Sequence, residues 1–366
     1  MPRSRHTARG ARFFVPLAAR AVTLLLAASL LAAPAPRLAP TDTVLVIAHR
    51  GASGVRPEHT LEAYEVAVAM GADVIEPDLV STRDGVLVAR HEADISGTTD
   101  VARHPEFAAR RTTRTTDGET VTGWFVDDFT LAELRTLRAA ERLPALRPQS
   151  AAYDGQFGVP TLDEILDLAA RLGAERGRPV GVYPETKHPS YFASVGLALE
   201  EPLVAALARA GLTTRGAPVW IQSFEVGNLR RLRAVTQVRL VQLAFPGGRP
   251  ADADSTDAAQ TYDAMMTPAG LARVAEYADA VGVATPFVLT PDGAATALVA
   301  DAHAAGLGVH VWTIRAENAF LPAALRRGTD PAAPGDVATL VRALAAAGVD
   351  GIFADQPDLV LAALGR

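Results

Sequence analysis

Short apolar runs alternate with amphipathic stretches along nearly the whole chain. That alternation restricts the fold more than any other feature. VLVIAHR (44–50), VIEPDLV (74–80), GVLVARH (85–91), PVGVYPETK (179–187), VWIQSF (219–224), RLVQLAF (239–245), GVHVWTI (308–314) and DGIFAD (350–355) are strand-like. Between them lie segments such as TLEAYEVAVAMG (60–71) and TLDEILDLAARLGA (161–174), whose apolar positions recur every three to four residues. Thr60 caps the first of these and Gly71 stops it. Strands alternating with helices imply parallel βαβ units. The strands are almost continuously apolar, as when both faces of a sheet are covered. About eight such units predict an α/β fold of the (β/α)₈ TIM-barrel type. No G-x-G-x-x-G follows the first strand, which argues against an open dinucleotide-binding sheet.

Two stretches interrupt the pattern. Residues 92–155 are polar and rich in Thr and Arg, too long for a plain connection. WFVDDFTLAELRTLRAA within them has strand- and helix-like spacing of its own, so a small subdomain inserted after the third strand is expected. Residues 246–266 read as an extended loop.

The N-terminus does not belong to the fold. Five arginines and no acid in residues 1–20 precede an apolar run, AVTLLLAASLLAA (21–33), and then PAPRLAP. That is the order of a secretory signal, here assigned to residues 1–35, with the barrel in 44–366. The run is too short for a transmembrane helix, so a secreted protein with no stable membrane insertion is expected. The chain carries 35 basic and 41 acidic residues. Without the five leader arginines, thirty cations face forty-one acids, a net −11. A nucleic-acid partner is therefore not expected. There is no cysteine, which excludes thiol catalysis, Cys-type zinc sites and a lipidated cysteine anchor. Among the basic residues only Lys187 is a lysine. An ammonium kept against so strong an Arg bias suggests a position where a guanidinium does not serve.

Polar residues gather at strand ends, where the active site of such a barrel lies. They are His49 and Arg50, Glu76 and Asp78, His91, Glu185 and Lys187, and Trp312. The i, i+2 spacing puts Glu76 with Asp78, and Glu185 with Lys187, on common faces. Three converging carboxylates would repel one another unless a cation joins them. Oxygen-only donors select a hard divalent ion, Mg²⁺ or Ca²⁺. Pairing of Glu76 and Glu185 with arginines is the alternative at this point. His49 and His91 are suited to general acid and base work. His59, His188, His303 and His310 read as structural or supporting. Arg50 and Lys187 would hold a phosphate, which points to phosphodiester cleavage.

The stretch HRGASGVRPEHTLEAYEVAVAMGADVIEPDLVSTRDGVLVARHEA (49–93) resembles the glycerophosphodiester phosphodiesterases, in particular their secreted branch. The likeness continues through DDFTLAEL (127–134), PTLDEIL (160–166), YPETKHP (183–189), QSFE (222–225) and GVDGIFADQPD (348–358). It implies His49 and His91 as the acid/base pair and Glu76, Asp78 and Glu185 as metal ligands, with Ca²⁺ the first expectation and Mg²⁺ the second. It implies Arg50 and Lys187 on the phosphate and Trp312 as an apolar wall. The implied substrate is a small glycerophosphodiester, cut to sn-glycerol 3-phosphate and an alcohol. Two positions depart from the pattern: Glu92 stands where Asp is usual after the histidine, and Pro77 separates two ligands. A lipid-cleaving relative and a non-catalytic polyol-phosphate binder remain the alternatives.

Overall fold

The computed structural model describes residues 43–366. The expected signal segment, residues 1–35, lies outside them. Strand β1 (Leu45–His49) comes first. The second strand position is split by Pro77 into β2 (Val74–Glu76) and β3 (Asp78–Ser81). Next comes β4 (Leu87–Ala89), and then the hairpin of β5 (Thr112–Thr116) and β6 (Glu119–Gly123). The following position is also split at a proline, Pro184, into β7 (Gly181–Val182) and β8 (Glu185–Thr186). β9 (Trp220–Ser223), β10 (Arg239–Ala244), β11 (Ala280–Ala284), β12 (Gly308–Ile314) and β13 (Gly351–Ala354) complete the set.

The parallel pairings close on themselves. β1 pairs with β2 and with β13; β2 pairs with β7 and β3 with β8; β8 to β13 then pair in sequence. Counting each split strand once gives eight positions, as expected for the barrel. The ladder crosses both prolines because their carbonyls still accept. Glu185 N–H donates to Pro77 O at 2.9 Å, and Gln222 N–H to Pro184 O at 2.9 Å. The ring strands are buried on both faces, which explains their lack of polar alternation.

The strand read at 85–91 is not a member of the ring. β4 lies antiparallel to β3, with Leu79 opposite Ala89 and Ser81 opposite Leu87. The turn Thr82–Val86 between them is far too short for the crossover that a parallel partner needs. An apolar run looks the same in either direction, so hydrophobicity alone could not separate the cases. The insertion therefore leaves the barrel after its second ring position, and Glu185 and Lys187 belong to the third.

The helices begin where capping chemistry allows. Thr60 Oγ1 accepts from Ala63 N–H ahead of the helix Leu61–Ala69. Thr161 and Glu164 form a reciprocal capping box on Leu162–Glu175. The 92–155 segment carries its own hairpin, whose Asp117-Gly118 turn has φ +51 and +84. It shares the barrel's apolar core through Phe107, Phe125 and Phe129. Residues 246–266 are mostly turns, closed by a short helix, Tyr262–Met265. Among the described residues no helix is long and apolar enough to cross a membrane.

Candidate active site

The carboxyl ends of the ring strands surround a pocket of about 100 Å³. His49, Arg50, Glu76, His91, Glu185, Lys187 and Trp312 line it. Asp78 lies immediately behind, 1% exposed. The structure thus gathers every residue singled out in the sequence.

Backbone shape explains the His-Arg-Gly step. Arg50 adopts φ +58. Its N–H donates to Glu76 Oε2 at 2.7 Å, and its guanidinium donates to Glu58 Oε2 at 3.1 Å and pairs with Asp78 at 3.3 Å. Gly51 follows at φ +85, where an added Cβ would fall 2.7 Å from the Ala63 backbone. Only glycine fits there.

Glu76, Asp78 and Glu185 each bring a carboxylate oxygen within 4.8 Å of the others. All three are buried. Burial, then the charges of Asp78 and Glu185, push the Glu76 carboxyl well above its usual range. Burial likewise pushes Glu185 up to about 8, with Asp78 adding to the shift against the pull of Lys187. Asp78 Oδ1 is buried without a hydrogen-bond partner. An orphaned acceptor beside two carboxyls that resist ionisation forms a donor set that a cation would satisfy. The cluster fits a hard divalent ion. Lys187 pairs with Glu185 at 2.8 Å, and Gln222 Nε2 donates to Glu76 Oε1 at 2.9 Å.

The two imidazoles are each held by a carboxylate. His49 Nδ1 lies 2.6 Å from Asp355 Oδ1. Asp355 in turn accepts from Arg147 at 2.6 Å and Arg315 at 3.0 Å. A carboxylate only accepts, so His49 carries its proton on Nδ1 and leaves Nε2 a base. His91 Nδ1 contacts Glu92, and its Nε2 lies 3.1 Å from Lys187 Nζ. An ammonium only donates, so Nε2 again holds the lone pair. Burial and the Arg50 charge push His49 down to about 4. Burial, Arg50 and Lys187 push His91 down to about 3, although 28% of its side chain stays open to solvent. Both rings are neutral at pH 7.

The family model for the glycerophosphoryl diester phosphodiesterase family matches residues 49–359, from the first site histidine to the last helix. The chain belongs to that family. Among curated relatives, glycerophosphodiester phosphodiesterase GDPD6 of Arabidopsis thaliana is 35% identical over 331 residues, covering 84% of this chain and 82% of the relative. The Haemophilus influenzae glycerophosphodiester phosphodiesterase is 29% identical, covering 86% and 88%. A crystal structure of an Oleispira antarctica phosphodiesterase, solved with the product sn-glycerol-3-phosphate, shares the fold with a TM-score of 0.59 at 21% identity, covering 88% of this chain and 97% of that one.

Family membership places the barrel and its pocket in a known class, and the structure adds residues that sequence reading missed. Asp355 was the most accessible of these, since it ends the last strand as the other site residues end theirs. Glu58 sits in the quoted PEHT motif. Arg142 carried no signal at all. It comes from the insertion and grips Glu58 at 2.6 and 2.9 Å and Glu92 at 2.6 and 2.8 Å. It thereby ties the carboxylate behind Arg50 to the carboxylate behind His91. His59 proves to be a supporting residue: Nε2 meets Asp78 Oδ2 at 2.9 Å and Nδ1 meets the Tyr64 hydroxyl at 2.8 Å. His188 bonds Asp117 of the inserted hairpin, His303 bonds Asp350, and His310 bonds the Tyr183 hydroxyl.

Proposed function

We propose that the protein hydrolyses glycerophosphodiesters to sn-glycerol 3-phosphate and an alcohol. One observation carries this reading. Two neutral, carboxylate-backed imidazoles share a small pocket with Arg50, Lys187 and a three-carboxylate cluster. Arg50 and Lys187 bind and orient the phosphate. One imidazole Nε2 takes the proton of the attacking hydroxyl; the other, having taken up a proton from water at Nε2 as the bound anion raises its basicity, gives that proton to the departing alkoxide. Binding an anion between Arg50 and Lys187 offsets the part of the depression that these charges add to burial, from Arg50 at His49 and from both cations at His91. Their basicity therefore rises on substrate binding. Asp355 and Glu92 keep both rings in the tautomer that presents Nε2.

Glu76, Asp78 and Glu185 would hold Ca²⁺, or alternatively Mg²⁺, which when bound supplies positive charge for the phosphate oxygens. Residues 1–35 support export of the mature enzyme, to be checked by the N-terminal sequence of the protein recovered outside the cell. The enzymatic reading is tested by supplying purified protein and Ca²⁺ with glycerophosphocholine. Stoichiometric glycerol 3-phosphate is expected, and none released at any divalent ion concentration would overturn the reading.

A further inference from the structure

The catalytic pocket does not stand alone. A second, larger cleft of about 690 Å³ adjoins it and shares Trp312, Thr313 and Arg315 with it. It opens between the loop after β11 and the loop after β12, on the same end of the barrel, and reaches down to the helix Val337–Ala346. Its floor is apolar: Leu289, Leu321 and Leu340 are buried beneath it. At its lip Phe320 is 37% exposed, under the Arg315 guanidinium at 4.8 Å.

The two volumes divide the substrate. Sites for drug-sized molecules span about 300–1,000 Å³, and only the cleft reaches that range. The catalytic pocket is small and sets Arg50, Lys187 and the site carboxylates beside Phe224 and Trp312, which suits the glycerol phosphate half. The remaining alcohol must leave it, and the shared wall at Trp312 and Arg315 leads into the apolar cleft. A leaving group of choline type would require acids or an aromatic cage. The cleft offers one carboxylate, on exposed Asp292, and two aromatic rings, of which Phe320 is already covered by Arg315, so Trp312 alone does not make a cage.

Resting on the phosphodiesterase reading, we propose that this cleft binds the leaving alcohol and selects glycerophosphodiesters whose alcohol carries an extended apolar group. Continuity with the catalytic pocket assigns the occupant, because both ends of one diester must be housed at once. Each methylene buried is worth about fourfold in affinity, so partial burial of an octyl chain exceeds about tenfold.

The test compares glycero-3-phosphoethanol, glycero-3-phosphobutanol and glycero-3-phospho-octanol, whose leaving alkoxides are nearly equal in basicity. For the protein with Ca²⁺, kcat/KM should rise at least about tenfold from ethyl to octyl, mainly through KM. In Ala343→Phe, which fills the cleft from the helix side, the octyl-to-ethyl ratio should fall towards one. A flat series in the unaltered protein, or an unchanged ratio in a folded Ala343→Phe variant, overturns the cleft assignment alone. Hydrolysis of none of the three esters counts instead against the phosphodiesterase reading. Calorimetric titration with n-octyl phosphate and ethyl phosphate then decides the cleft independently. At least tenfold tighter binding of the octyl compound supports it, and equal affinities overturn it.

Discussion

Lys187 Nζ lies 3.1 Å from His91 Nε2 and 2.8 Å from Glu185 Oε1. The one lysine of the chain therefore joins an imidazole to the carboxylate cluster. Its three donors can serve both neighbours and a phosphate from one point, whereas a planar fork needs more room. Lys187 is only 7% exposed, so that room is lacking. Lys187→Arg should lower kcat/KM for glycerophosphocholine by about 10–100-fold although charge is kept. Steady-state kinetics of the two proteins checks this, and equal rates would return the lone lysine to chance.

His49→Ala and His91→Ala should each lower kcat by about 10²–10⁴-fold with little change in the thermal midpoint. Asp355→Asn should lower it by about 10–100-fold, because an amide can hold His49 in the wrong tautomer. Here the midpoint should fall too, since Arg147 and Arg315 lose their common anion. Paired rate and melting measurements separate the two effects.

Arg142→Ala should raise KM and lower kcat together, by about tenfold or more in kcat/KM. It frees Glu58 behind Arg50 and Glu92 behind His91 at once. Arg142→Lys should not restore activity, because an ammonium cannot reproduce the paired contacts to both carboxylates. Recovery of full activity by lysine would reduce Arg142 to a general charge.

Chelation should abolish activity, and stability without metal should depend on pH in a definite sense. Glu185 rises from 4.5 in the unfolded chain to about 8 when folded. Between these values the folded state binds more protons than the unfolded one. The Glu185 contribution to stability therefore falls as pH rises from about 4.5 to about 8. A divalent ion takes the place of the proton, so the gain in thermal midpoint on adding Ca²⁺ should grow from pH 6 to pH 9. Calorimetry with and without chelator measures the difference. A gain that shrinks with pH would exclude these carboxylates as the ligands.

Much of the site was legible because its residues sit at strand ends in fixed local spacing. Glu76 with Asp78, and Glu185 with Lys187, follow from the two-residue period of a strand. The direction of β4 was not legible, since a five-residue turn and a crossover leave similar apolar runs on either side. Arg142 was not legible either. It lies in the least regular part of the chain, and nothing local marks it among 34 arginines.

The sequence by itself determined the donors: two histidines, three acids, one lysine, and the strands that carry them. Only the tertiary structure decided how those donors are held. Ring closure sets Ala48 beside Ala354 in register, so the next residues along, His49 and Asp355, meet across 306 positions of sequence. The insertion folds back to place Arg142 on Glu58 and Glu92, 84 and 50 positions away. Such pairings depend on strand closure and loop return, which are long-range, whereas spacing within one strand is local.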